Sequence, residues 1–204
     1  MNRRELIQHV AYLMGGAISA PAILGVLNGC SAKSSAEAWR PVLLTPEQGE
    51  LVAEVSEIFI PRTDTPGAKD VGVPAFIDTI LKNAYTSADH ARYIAGLNEL
   101  EAQAQRVHQR RFVDLDAGAR LALVRAANDE ATTAELALNV APAQLKRPFI
   151  LMTKELTLLG FFTSQVGATQ VLQYDPVPGA YRACVPLAQA GNGKQWALET
   201  NTRF

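Results

Sequence analysis

Thr45-Pro46-Glu47-Gln48-Gly49-Glu50-Leu51-Val52-Ala53-Glu54-Val55-Ser56-Glu57-Ile58-Phe59-Ile60 is the stretch that decides the fold class. Thr45 followed three residues later by Gln48 is a capping box, and Pro46 at the first helical position brings a φ already suited to a helix. Leu51, Val52, Val55, Ile58 and Phe59 then recur at three- and four-residue spacing, so one face is apolar. The pattern predicts a helix from about Thr45 to Ile60. Pro61 stops it, and Arg62-Thr63-Asp64-Thr65-Pro66-Gly67 supplies a turn through its Pro-Gly pair.

Working outward, Val73-Pro74 opens a second helix, to about Tyr85, with Phe76, Ile77, Ile80 and Leu81 on one face. Ser87-Ala88-Asp89 can cap a third, striped by Tyr93, Leu97, Leu100, Ala104 and Val107. Asp114 or Asp116 caps a fourth containing Leu121, Leu123, Val124 and Ala127, and a short helix is expected around Thr132 to Leu138. The last long helix is expected from about Pro142 to Gln165. From Pro148 on it is apolar nearly all round, interrupted by Lys154 and Glu155, which places it at the centre of a bundle. No useful period-two alternation, hairpin dipeptide or repeat is present. The expected fold is all-α: a single bundle-like domain of about five helices over 39–204. From about residue 172, Pro176, Pro178 and Pro186 forbid helix, so an extended C-terminal arm follows. The polar stretch from Gln189, with Gly191, Gly193 and Trp196, is expected to lie against a neighbour or to stay loosely ordered.

With 204 residues, 48% of them hydrophobic, the chain is long enough for one real core and short for two. The net charge of -1 offers no basic field for nucleic acid or for an anionic membrane surface. Charged residues, at 19%, fall below the roughly 25% of ordinary soluble domains. That deficit has a visible source at the N-terminus. Arg3-Arg4 precedes Leu6 and Ile7, and an uncharged apolar run extends from Val10 to Leu27, the pattern of a twin-arginine export signal. Residues 1–38 are read as that signal and a linker, and the mature protein as starting between about Pro21 and Trp39, outside the cytoplasm. An uncleaved anchor is the other reading, although Gly15, Gly16, Pro21 and Gly25 weaken a permanent membrane helix. Leu27-Asn28-Gly29-Cys30 resembles a lipobox, so Cys30 is either a lipidation site or a plain small residue near the end of the signal.

The remaining chain is poor in cofactor ligands. His90, His108, Cys184 and scattered acids are what it offers a metal; it has no Cys-x-x-Cys-His for haem and no multi-cysteine set for a cluster. No Gly-x-Gly-x-x-Gly follows a strand, so a dinucleotide or flavin fingerprint is missing as well. No elbow motif surrounds Cys184, and His90 and His108 read as solvated helix residues. Lys154-Glu155 reads as a snorkelling or interface ion pair, with a buried functional pair as the alternative. The expectation is that this chain holds no catalytic, cofactor or metal site. Cys184 is then a single thiol in an oxidising compartment: it either pairs with a cysteine of another subunit or is a small buried hydrophobe. Twin-arginine export carries folded proteins, and a ligand-poor chain that uses it has reason to travel with a cofactor-rich passenger.

These pieces resemble a known family. The export signal, Ile60-Pro61-Arg62-Thr63-Asp64-Thr65-Pro66-Gly67-Ala68 leading to Gly72-Val73-Pro74-Ala75-Phe76-Ile77-Asp78, Lys154-Glu155-Leu156 with Gly160-Phe161-Phe162-Thr163-Ser164, and Tyr174, Pro178, Gly179, Tyr181, Cys184 and Pro186 are similar to the gluconate 2-dehydrogenase subunit 3 family. The resemblance implies a small subunit beside a flavin-containing catalytic subunit of the glucose-methanol-choline type, often with a multihaem cytochrome c. It implies that FAD sits in that partner, haem c in a third subunit, and that substrates of the complex are sugars, sugar acids or polyols. It also implies that the catalytic subunit leaves the cytoplasm bound to the small one and works in the periplasm, attached to the inner membrane through a partner or a lipid anchor. Cys184 is suited to tether that partner, and Tyr174, Pro178, Tyr181 and Trp196 are the expected interface anchors. The alternative is a stand-alone periplasmic helical lipoprotein or binding protein with no dehydrogenase partner.

Overall fold

The computed structural model describes residues 39–138, 146–175, 179, 184–189 and 193–197. The chain divides into Met1–Arg40 and Pro41–Phe204, and the architecture is that of the second unit. Arg3, Arg4, Cys30, Pro178 and Tyr181 lie outside the described residues.

Among the described residues five α-helices form the body: α1 Pro46–Phe59, α2 Val73–Ala84, α3 Ser87–His108, α4 Ala117–Ala137 and α5 Phe149–Thr163. The described residues contain no strand, so the all-α expectation is met. α1 starts where its sequence says. Gln48 N donates to Thr45 Oγ1 at 3.2 Å and Thr45 N to Gln48 Oε1 at 3.0 Å, which satisfies two of the amides a helix start leaves open. Leu51, Val52 and Val55 are buried with Ser56, whose hydroxyl returns to the Val52 carbonyl at 2.7 Å and so costs the core no orphan donor.

Four boundaries differ from expectation, each for a local reason. The cap of α3 is Thr86, one residue before the expected Ser87. Asp89 is its reciprocal partner at the third helical position, with Thr86 N to Asp89 Oδ2 at 3.1 Å and Asp89 N to Thr86 Oγ1 at 3.3 Å. The separate short helix expected around Thr132–Leu138 is instead the end of α4, because no Gly or Pro interrupts the chain between Gly118 and Leu138. α5 begins at Phe149, not near Pro142. Pro148, at φ -68 and ψ 159, is its extended N-cap, and a proline disfavours helical backbone in the residue before it, Arg147. α5 also ends two residues early, where Ser164 turns extended. Its hydroxyl donates to the Phe161 carbonyl at 2.6 Å and accepts from Gly167 N at 3.0 Å, leading into a π-helical turn at Gly167–Val171.

α5 packs against each of the other four helices, as its all-round apolar sequence requires. Phe149, Ile150, Met152, Leu156 and Phe161 are buried there with Ile77 and Leu81 of α2, and with Tyr93 and Leu97 of α3. Gly160 makes the α2–α5 contact possible: a Cβ there would stand 2.6 Å from the Phe76 ring. Tyr93 meets Phe149 edge-on at 5.8 Å between ring centroids, and its hydroxyl bonds Thr153 Oγ1 at 2.8 Å. Thr153 in turn donates to the Phe149 carbonyl at 2.8 Å, so the Tyr93 and Thr153 hydroxyls are both paired.

Candidate functional site

The family-like motifs map to four places, and in each a side chain holds backbone or a neighbouring helix in a fixed arrangement. The first is the α1–α2 loop. Glu57, near the end of α1, accepts from Arg62 N and from Lys69 N, both at 2.9 Å, and so brackets the loop from inside. Arg62 closes it across the top onto Asp70, with Nε to Oδ2 at 2.6 Å, and Gly67 N adds a bond to the same oxygen at 2.9 Å. Those bonds, the Arg62 one first and the Gly67 amide next, hold the Asp70 carboxyl below its usual range. A Cβ on Gly67 would sit 2.2 Å from Glu57 Oε1, so the bracket requires glycine. Pro61, Arg62, Thr63 and Asp64 are left exposed on a loop with its backbone already tied down.

The second place is Asp78, at the end of the Gly72–Asp78 motif. It is fully buried, and its carboxylate accepts three consecutive backbone amides: Val42 N at 2.6 Å, Leu43 N at 3.1 Å and Leu44 N at 3.0 Å. The segment entering α1 is strapped to α2 by one side chain. Sequence reading listed Asp78 within a motif but gave it no role; an acid among Ile77, Ile80 and Leu81 on the buried side of a helix was the available signal.

The third is the junction around Lys154-Glu155. These two do not pair with each other: Lys154 is exposed, and half-buried Glu155 takes Arg147 NH1 at 2.5 Å. Arg147 Nε also reaches Glu135 of α4 at 3.4 Å, and its carbonyl accepts Arg92 Nε of α3 at 3.0 Å. Burial works to lower the Arg147 pKa, but the Glu155 bond and charge, with Glu135 behind them, outweigh it and the net shift is upward. One arginine next to Pro148 therefore ties together α3, α4 and α5. His90, expected to be solvated, is half-buried, and its Nε2 lies 2.6 Å from the Leu81 carbonyl near the end of α2.

The fourth is the C-terminal region. Gln173 and Trp196 form a parallel bridge, with Gln173 N donating to the Gln195 carbonyl at 2.9 Å and Ala197 N to the Gln173 carbonyl at 2.8 Å. Residues 195–197 are thus held by the chain's own residue 173. This brings two expected anchors onto joined segments: Tyr174 is 60% exposed and Trp196 42%. Val185 and Leu187 are exposed too, as is the free thiol of Cys184, which is therefore not the buried small hydrophobe that was one of its two readings. Exposed aromatics with apolar neighbours are the usual composition of interface anchors.

Among the described residues no three or more His, Cys, Asp or Glu converge as a metal site, and no helix is long and apolar enough to cross a membrane. The carboxylates of Glu57, Asp70, Asp78 and Glu155 are each engaged with amides or guanidinium groups, so what they do here is fix shape. No curated protein and no solved structure matches the chain. The family described as gluconate 2-dehydrogenase subunit 3 matches residues 46–179, from the first turn of α1 to the glycine after Pro178. Over that span lie the bracketed loop, Asp78 itself, the Arg147 junction and the start of the C-terminal segment. The chain belongs to the gluconate 2-dehydrogenase subunit 3 family, and so to the subunits of a dehydrogenase complex.

Proposed function

We propose that this chain is the non-catalytic small subunit that escorts a flavin-dependent dehydrogenase of the glucose-methanol-choline type through twin-arginine export and stabilises it in the periplasm. Family membership over 46–179 is the observation that carries the reading. The Arg3-Arg4 signal supplies the route, and the scarcity of cofactor ligands in the chain supplies the reason for a passenger. FAD belongs to the partner, a multihaem cytochrome c passes its electrons onward, and the complex oxidises a sugar, sugar acid or polyol. Attachment to the inner membrane comes through a partner or through Cys30. In this reading Cys184 forms a disulfide with the catalytic subunit, and Tyr174 and Trp196 anchor the contact; the exposure of all three supports it.

Affinity purification of the tagged full chain from its native host tests this. The expected product carries flavin absorbance and sugar, sugar-acid or polyol dehydrogenase activity, and on a non-reducing gel shows a shifted band that collapses in Cys184→Ser. A stable monomer free of flavoprotein would overturn the reading in favour of a stand-alone periplasmic lipoprotein. Flavin with no shifted band would remove the disulfide alone.

A further inference from the structure

The segment ahead of α1 is tied down more firmly than a helix start requires. Four consecutive amides are held by side chains: those of Val42, Leu43 and Leu44 by the Asp78 carboxylate, at 2.6, 3.1 and 3.0 Å, and that of Thr45 by Gln48 Oε1 at 3.0 Å. Lifting residues 42–44 away would leave the fully buried Asp78 carboxylate without these donors. The export signal upstream lies outside the described residues, and its sequence offers three bonds with the chemistry of a signal cut. They are the bond after Ala20-Pro21-Ala22, the bond between Gly29 and Cys30 in the lipobox-like stretch, and the bond after Ala36-Glu37-Ala38. Ala22–Ile23 falls inside the uncharged run from Val10 to Leu27, and a backbone in hydrocarbon has to satisfy its own polar groups, so it offers a protease no extended strand. Ala38–Trp39 has the opposite fault: only Trp39, Arg40 and Pro41 separate it from the strapped Val42.

We propose that the Asp78 strap decides where the signal is removed: it shields the Ala38–Trp39 bond, so the cut falls between Gly29 and Cys30 and the mature chain keeps residues 30–41 as a lipid-linked tether; the proposal rests on the exported accessory-subunit reading above. A protease binds its substrate as an extended strand several residues long on either side of the cut, and backbone already bonded within a fold cannot enter its cleft. Twin-arginine export delivers a folded body, so the strap is formed before the peptidase meets the chain. Cleavage at a lipobox follows acylation of its cysteine. The Cys30 sulfur takes the diacylglyceryl group of a membrane phosphoglyceride: the thioether C–S bond forms as the C–O bond to phosphate breaks, and the thiol proton leaves with the phosphate headgroup. Water then hydrolyses the Gly29–Cys30 amide, releasing the signal as a carboxylate and leaving Cys30 with a free α-amine. Two acyl chains suffice for stable attachment. From Cys30 to Val42 the chain spans at most about 40 Å. The lipid therefore keeps the helical body, and the dehydrogenase bound to it, within that distance of the membrane, and a pull on the tether is borne at Asp78.

The test reads the N-terminus of the full chain, by intact and terminal-peptide mass, after purification from the membranes and periplasm of its native host. The wild type is expected to begin at Cys30 with the added mass of a diacylglyceryl group, in at least tenfold excess over chains that begin at Trp39. Cys30→Ala removes the lipobox cut and is expected to leave the exported chain uncut, since the strap still shields Ala38–Trp39. A flexible Gly-Ser spacer of about ten residues, inserted between Arg40 and Pro41 of that variant, moves the motif away from the strap without touching the helical body. It is expected to raise the yield of chains beginning at Trp39 at least tenfold. Exported wild-type or Cys30→Ala chains that begin mainly at Trp39 would overturn the proposal, as would a spacer variant that stays uncut. A wild-type chain found only in the cytoplasm with its signal intact would overturn the export reading beneath it.

Discussion

Asp78 shows how much of this structure depends on single side chains. A carboxylate that is fully buried can be tolerated only if its lone pairs are satisfied, and here three consecutive amides of residues 42–44 satisfy them. Asp78→Ala removes the acceptor and leaves those amides in a partly or fully buried setting without it. The expected loss is about 3 kcal/mol in urea unfolding, with Asp78→Asn losing less because its amide oxygen still accepts. A change below 1 kcal/mol for Asp78→Ala would contradict the strap. The residue scale is also where sequence was least legible. The motif containing Asp78, and the pair Lys154-Glu155, were visible as letters. Their partners, the amides of 42–44 and the guanidinium of Arg147, are set by tertiary proximity, which spacing along a chain does not encode. Aromatics among prolines and polar residues have no core to enter, and Tyr174 and Trp196 are both exposed. Pro178 and Tyr181 fall outside the described residues.

At the scale of elements, the sequence specified helices well and their ends less well. Thr45-x-x-Gln48 was read correctly because the box, the proline and the apolar spacing all agree. At α3 two candidate caps sit side by side, and Thr86 wins over Ser87 because only from Thr86 does the third helical position fall on Asp89. At α5 the proline at 148 sets the start, since residues 146–148 are not helical; Pro142 lies outside the described residues. The Thr86–Asp89 box also makes a pH prediction. The Thr86 hydroxyl and then its amide hold the Asp89 carboxyl below its usual range, so the folded state binds that proton more weakly than the unfolded chain does. Its stabilisation is complete above the unfolded carboxylate pKa of about 3.9 and is lost as pH falls through the lower folded value. Asp70, held down by Arg62, acts with the same sign. Thermal unfolding followed from pH 6 to pH 2 should show a shallower acid limb in Asp89→Asn than in the wild type. Parallel limbs would mean that the box contributes nothing specific to the charged form.

For the whole molecule, the central position of α5 was legible because a helix apolar on nearly every side has to be surrounded. What the sequence could not show is that residue 173 retains Trp196, a pairing across more than twenty residues that no local signal announces. The account of function makes the molecule a carrier: a helical body with little chemistry of its own, outward-facing apolar anchors, and an export label on its first residues. The most direct measurement is the location of the dehydrogenase in cells where Arg3 and Arg4 are both replaced by Lys. The account predicts that flavin-dependent activity and the flavoprotein itself remain in the cytoplasm, and that restoring the arginines returns both to the periplasm. Normal periplasmic activity with the label removed would contradict it.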